Sequence, residues 1–184
     1  MINRTPIRNL VLTALLLALS FAGAQLARAQ ALTDNMPTDP QISTGKFPNG
    51  MTYYVRANKK PEKRAELRLV VKTGSVLEDD DQQGMAHLVE HMAFNGTKHF
   101  PKNEIISFME SIGMRFGADV NAYTSFDETV YMLTVPTDKP EALEKAFLIL
   151  EDWAHGLSFD AAETEKERGV VMEEWRLAGA PACA

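Results

Sequence analysis

The sequence predicts an α+β domain in which helices pack on one face of an antiparallel sheet. Two observations carry that prediction. Two pairs of short segments alternate apolar with polar residues, and a brief polar stretch separates the members of each pair, which is the pattern of half-buried strands joined as hairpins. Four further segments repeat their apolar residues at helical spacing and carry start or stop signals at their ends. At 184 residues and 45% hydrophobic, the chain has the length of one domain, or of a piece of a larger protein, with enough apolar content to bury a core.

The N-terminus reads as an export signal. Arg4 and Arg8 supply a positive start, and an apolar run follows from Leu10 to about Ala24. That run is too short for a comfortable membrane span. Small residues then offer cleavage after Ala29 or Ala31, so residues 1–29 are expected to be a signal peptide and the mature chain to be periplasmic or secreted, without a stable membrane anchor. Cleavage after Ala29 removes three arginines and takes the formal net charge from −6 to −9. A chain that acidic is not expected to bind nucleic acid. Its one cysteine, Cys183, excludes a disulfide framework and a thiolate metal site.

Residues 30–45, polar and interrupted by Pro37 and Pro40, are expected to form a flexible leader, with structure beginning at Lys46. The turn signal Pro48-Asn49-Gly50 leads into a strand over 51–56, in which Met51, Tyr53 and Val55 alternate with Thr52, Tyr54 and Arg56. A second strand follows the basic loop 58–64, with Ala65, Leu67, Leu69 and Val71 on one face and Glu66, Arg68 and Lys72 on the other. These two are expected to pair as an antiparallel hairpin.

The third element carries the chemistry. In His87-Leu88-Val89-Glu90-His91, helical geometry puts His87, Glu90, His91 and Phe94 on one face and Met85, Leu88, Val89 and Met92 roughly opposite. Two histidines one turn apart can close on a single zinc ion while a glutamate beside them stays free to move a proton. The order His-x-x-Glu-His is the inverzincin signature. A five-residue match also fits an amphipathic helix with solvated histidines, so the rest of the chain must decide. The acidic run Glu78 to Asp81 just ahead is read as support for the helix N-terminus rather than as a second metal site. Asn95-Gly96 marks the stop.

Pro101-Lys102-Asn103-Glu104 opens a second helix whose Ile105, Ile106, Phe108, Met109 and Ile112 form an apolar stripe ended by Gly113. Two strands follow, Val120 to Thr124 and Thr129 to Val135, joined by the polar turn 125–128. A long helix begins near Asp138 with Pro140 in its first turn and runs to His155-Gly156. His155 is read as a partner of that helix's C-terminal dipole, and neither it nor His99 is expected to be a ligand. The last helix starts near Asp160, where Asp160 to Glu163 resembles a capping box, and carries Glu167 and Glu174 two turns apart on one face. Taken alone, those acids also fit a solvated face paired with Lys166, Arg168 and Arg176.

Four blocks together, His87-Leu-Val-Glu-His91, Phe94-Asn-Gly-Thr97, Asn121-Ala-Tyr-Thr124 with Thr129-Val-Tyr131, and Glu167-Arg-Gly-Val-Val-Met-Glu-Glu174, resemble the insulinase or pitrilysin family of zinc metallopeptidases. The resemblance spans roughly Lys46 to Arg176. It implies an insulinase or mitochondrial processing peptidase-like fold over residues 46–176, incomplete at the C-terminus, with an unstructured tail over 177–184. It also implies one zinc ion held by His87, His91 and Glu174, with Glu90 as general base and Glu167 as the supporting acid of the catalytic set. The gap from His91 to Glu174 is several residues longer than the family's usual spacing, which alone would point to Glu167; the pattern around Glu174 favours Glu174.

Family resemblance further implies a peptide or unfolded protein as substrate, added as a strand beside Asn121, Ala122 and Tyr123, and a second similar domain or subunit to close over it. The expected function is therefore that of an exported zinc endopeptidase, here as its catalytic N-terminal portion. The alternative is a zinc-containing peptide-binding fragment without turnover, for want of that second domain.

Overall fold

The computed structural model describes residues 37–178. The expected signal peptide, residues 179–184 of the expected tail, and Cys183 lie outside the described residues. The chain divides into two compact units, the first ending at Ala57 and the second beginning at Asn58. Among the described residues no helix is long and apolar enough to cross a membrane.

The first unit contains an antiparallel hairpin of β1 (Ile42–Lys46) and β2 (Thr52–Arg56), in register from Ile42 opposite Arg56 to Lys46 opposite Thr52. Its turn is built as the Pro48-Asn49-Gly50 signal suggests: the Gly50 amide donates to the Phe47 carbonyl at 2.9 Å, and Asn49 Oδ1 accepts from the Met51 amide at 3.0 Å. Two expectations are corrected here. Residues 42–45, read as part of a flexible leader over 30–45, belong to a strand, and residues 30–36 of that leader lie outside the described residues. The partner of β2 is β1 rather than the strand over 65–71. The short turn 47–50 closes a smaller loop than 57–63 would, and a smaller loop costs less chain entropy. Ile-Ser-Thr-Gly-Lys carries one apolar side chain, too little alternation to show as a strand.

In the second unit, β3 (Arg64–Val71), β4 (Val120–Thr124) and β5 (Thr129–Pro136) form an antiparallel sheet in the order β3-β5-β4. The pairing aligns Leu67 with Leu133 and Val120, and Leu69 with Tyr131 and Ala122. These cross-strand rows form the face on which α1 (Met85–Asn95), α2 (Glu104–Ser111) and α3 (Pro140–His155) build the core, with Ile105, Met109, Ile149 and Trp153 against Leu133 and Val135. On the opposite face of β3, Glu66, Arg68 and Val70 are exposed, as period-two alternation requires. The result is the expected arrangement of helices packed on one face of an antiparallel sheet.

Local signals set the helix ends. The Glu78 carboxylate reaches past its own run to accept from the amides of Gly84 at 2.8 Å and Ala86 at 2.7 Å, satisfying donors that the first turn of α1 leaves open. The acidic run therefore supports α1 through one residue and two hydrogen bonds. Asp160 caps α4 (Ala161–Leu177), accepting from the amides of Ala162 and Glu163. That helix includes Leu177, one residue into the expected tail.

Gly74 stands where two loops meet. Ser75 and Val76 donate their amides to the carbonyls of Ser125 and Phe126, and a Cβ on Gly74 would lie 2.3 Å from the Ser125 carbonyl oxygen. Gly169, on α4, has open space where its Cβ would be. Gly74→Ala is expected to lower stability by about 1–3 kcal/mol through the backbone clash. Gly169→Ala is expected to raise it by up to about 1 kcal/mol through helix propensity. Denaturant unfolding of both variants checks the opposite signs.

Candidate metal centre

On α1, His87, His91 and Asn95 follow one another at four-residue spacing and share one stripe. The facing stripe of α4 is Glu167, Val171 and Glu174, and Val171 is the one buried residue of that helix among those described. The helices run antiparallel where they meet: Glu167 lies beside Asn95 and His91, and Glu174 beside His91 and His87.

The two acids do different work. Glu167 Oε2 lies 3.1 Å from His91 Nδ1, and its Oε1 accepts from Asn95 Nδ2 at 3.0 Å. A carboxylate only accepts, so this contact favours the His91 tautomer that carries its proton on Nδ1 and its lone pair on Nε2. Glu174 Oε2 stands 3.4 Å from His91 Nε2 and 3.4 Å from His87 Nε2. Those two distances exceed ordinary N–H···O hydrogen bonds. They match the separation of about 3.3 Å between donors that share a tetrahedral zinc at bond lengths near 2.0–2.1 Å. Ligand atoms of His87, His91 and Glu174 all lie within 4.8 Å of one another, and the imidazole rings meet edge to face at 4.8 Å between centroids. Two imidazole nitrogens and one carboxylate oxygen are a donor set that zinc accepts, with a fourth position left for a reactant.

Glu90, on the same face of α1, is 9% exposed and accepts from Thr124 Oγ1 at 2.7 Å. Thr124 lies on the sheet face that packs against α1, so the β4–β5 hairpin fixes this carboxylate from below. Beside it, burial first and the charge of Glu90 second push the Tyr131 hydroxyl up to about 12, which keeps Tyr131 neutral at ordinary pH.

Asn121, Ala122 and Tyr123 lie on β4, an edge of the three-stranded sheet among the described residues. Asn121 and Tyr123 are exposed, the Ala122 amide donates to Asn121 Oδ1 at 3.0 Å, and the Tyr123 hydroxyl donates to Glu128 Oε1 at 2.7 Å. His99 bonds Asp152 and His155 pairs with Glu151 one turn away, both apart from the His87, His91 and Glu174 group. Two contributors carried no site role in the sequence: Asn95 and Thr124. Asn95 was within reach of periodicity, since it continues the stripe His87-His91. The contact of Thr124 with Glu90 spans 34 residues and has no local signal.

Comparison with known proteins gives the family and the fold. The insulinase (peptidase family M16) model matches residues 53–179. A probable zinc protease, PqqL of Haemophilus influenzae, is 48% identical over 143 residues, covering 78% of this chain and 15% of that protein. The zinc protease PQQL-like of Arabidopsis thaliana is 52% identical over 132 residues, covering 72% of this chain and 14% of the relative. The chain thus spans about a seventh of the length of these relatives. The crystal structure of the first half of the periplasmic protease PqqL from Escherichia coli superposes with a TM-score of 0.74 at 43% identity, covering 79% of this chain and 31% of that one. By sequence and by fold, the chain belongs to the insulinase family of peptidases, peptidase family M16.

Proposed function

We propose that this chain is the catalytic N-terminal portion of an exported zinc endopeptidase that hydrolyses peptides or unfolded proteins. The observation that carries the reading is the convergence of His87 Nε2, His91 Nε2 and Glu174 Oε2, with Glu90 on the same helical face. These three side chains would hold the zinc, which when bound supplies Lewis acidity to the scissile carbonyl and to the attacking water. Glu90, oriented by Thr124, takes the proton from that water and passes it to the leaving amine. Glu167 keeps the His91 proton on Nδ1 and so keeps Nε2 available as a donor.

The substrate would lie extended along β4, adding backbone hydrogen bonds at the free edge beside Asn121, Ala122 and Tyr123, with its scissile bond brought towards Glu90. A second similar domain or subunit would close over that strand, a reading supported by the much greater length of the relatives. The basic and apolar start of the sequence and the periplasmic description of the Escherichia coli relative support export.

Three outcomes are expected. The folded chain binds about one zinc per molecule, and His91→Ala abolishes that binding; elemental analysis after dialysis measures it, and full zinc retention in the variant refutes the ligand set. Glu90→Gln keeps the metal but lowers peptide hydrolysis by the ~100-fold or more typical of a lost general base, and an unchanged rate in the active host protein removes Glu90 from that role. Glu167→Gln weakens zinc affinity about 10–100-fold without removing a ligand, as read by chelator competition.

A further inference from the structure

Resting on the metal-binding reading, we infer that Asp152 is a positioning residue of the metal centre, locking the exit of α1 to the segment that launches α4. The Asp152 side chain is fully buried, 0% exposed near the C-terminal end of α3. Its Oδ2 accepts from Thr97 Oγ1 at 2.6 Å and from the His99 amide at 2.9 Å, and its Oδ1 accepts from His99 Nδ1 at 2.8 Å. All three donors lie in the loop that leaves α1. Burial alone would raise the Asp152 pKa, but the Thr97 and His99 hydrogen bonds and the charge of His99 outweigh it and hold the carboxyl below the usual carboxylate range. A buried charge satisfied three times fixes geometry, because every displacement strands a donor or the charge itself.

The same loop is stitched to the connector between α3 and α4. Lys98 donates its amide to the Gly156 carbonyl at 2.8 Å, Ser158 donates to the Gly96 carbonyl at 3.0 Å, and Thr97 bridges Leu157. Gly156 has no Cβ, which would stand 2.8 Å from Asp152 Oδ1. One turn back on α1, the Ala93 carbonyl accepts from Trp153 Nε1 at 2.9 Å. The carboxylate thus sits where the helix of His87 and His91 ends and just before the helix of Glu174 starts.

Lever length makes this position matter. Glu174 lies fourteen residues beyond the Asp160 cap, about 21 Å along the helix at 1.5 Å per residue, so a change of about 5° at the start of α4 moves it by about 2 Å. A zinc site tolerates about 0.2 Å in its bond lengths. The Glu167–His91 bond pins α4 midway, and the Asp152 cluster fixes its origin.

The test compares zinc affinity, by chelator competition, and the visible spectrum of the cobalt-loaded chain in wild type, Asp152→Asn, Thr97→Val and Thr97→Ser. The core variant Val135→Ala serves as a control that lowers stability away from the cluster. We expect Asp152→Asn and Thr97→Val to weaken zinc binding by about tenfold or more and to alter the cobalt bands. Thr97→Ser, which keeps the hydroxyl, and Val135→Ala should both stay close to wild type. Wild-type affinity and spectrum in folded Asp152→Asn and Thr97→Val overturn the proposal. So does an equal loss in Val135→Ala, which would mark a general stability effect. If Asp152→Asn does not fold, the two Thr97 variants decide. A wild-type chain that binds no zinc refutes the metal reading itself and this role with it.

Discussion

Glu167 meets His91 Nδ1 and Asn95 Nδ2 with its two oxygens, and through that one carboxylate the two helices of the candidate centre hold each other in register. The contact favours one tautomer of the imidazole and sets its direction. A proton on Nδ1 leaves Nε2 bare on the side where Glu174 and His87 stand. Without it, nothing in helix propensity would keep α4 against α1: the facing stripe of α4 offers a single buried apolar residue, Val171, and most of that helix is solvated. Polar chemistry therefore takes the place that apolar packing holds between α3 and the sheet, where Ile149 and Trp153 bury against the strands.

The sheet contributes in a different way. Its core face is an ordered set of cross-strand rows, and the row nearest the hairpin turn carries two threonines: Thr129 and Thr124 lie side by side, with Val71 on the other side of Thr129. Thr129 is held by the Thr73 carbonyl at 2.9 Å, and Thr124 turns its hydroxyl to Glu90. The hydrophobic rows fix where the strands lie, and the threonine row converts that placement into the orientation of one carboxylate. Gly74 closes the same end, letting the chain pass against the Ser125 carbonyl where any side chain would collide.

How much of this was legible in the sequence depends on the range of the interaction. Alternation in β3 and β5, the stripe of α2, the Pro140 start and the Asp160 cap are local patterns, and each appears where its residues indicate. The stripe His87-His91 and the two-turn spacing of Glu167 and Glu174 are equally local, so the parts of the candidate centre could be named before their meeting was seen. The division of labour between the acids came from the family resemblance alone, because chain spacing favoured Glu167; the antiparallel crossing is what sets Glu167 beside His91 Nδ1. Strand β1 escaped because Ile-Ser-Thr-Gly-Lys has almost no alternation, and the pairing of β2 was misassigned for the same reason. Asp152 gave no signal at all: an acid within the long helix reads as solvated, and its partners are more than fifty residues away.

On the proposed reading, α1 and α4 deliver two imidazoles and one carboxylate to a single zinc ion. X-ray absorption at the zinc edge of the metal-loaded chain tests it most directly. The expected spectrum shows zinc bound by two imidazole nitrogens and light oxygen donors at about 2.0–2.1 Å, with the oxygen contribution altered in Glu174→Gln and unchanged in Glu173→Gln. A shell containing sulfur, a single imidazole, or a spectrum indifferent to Glu174→Gln would contradict it.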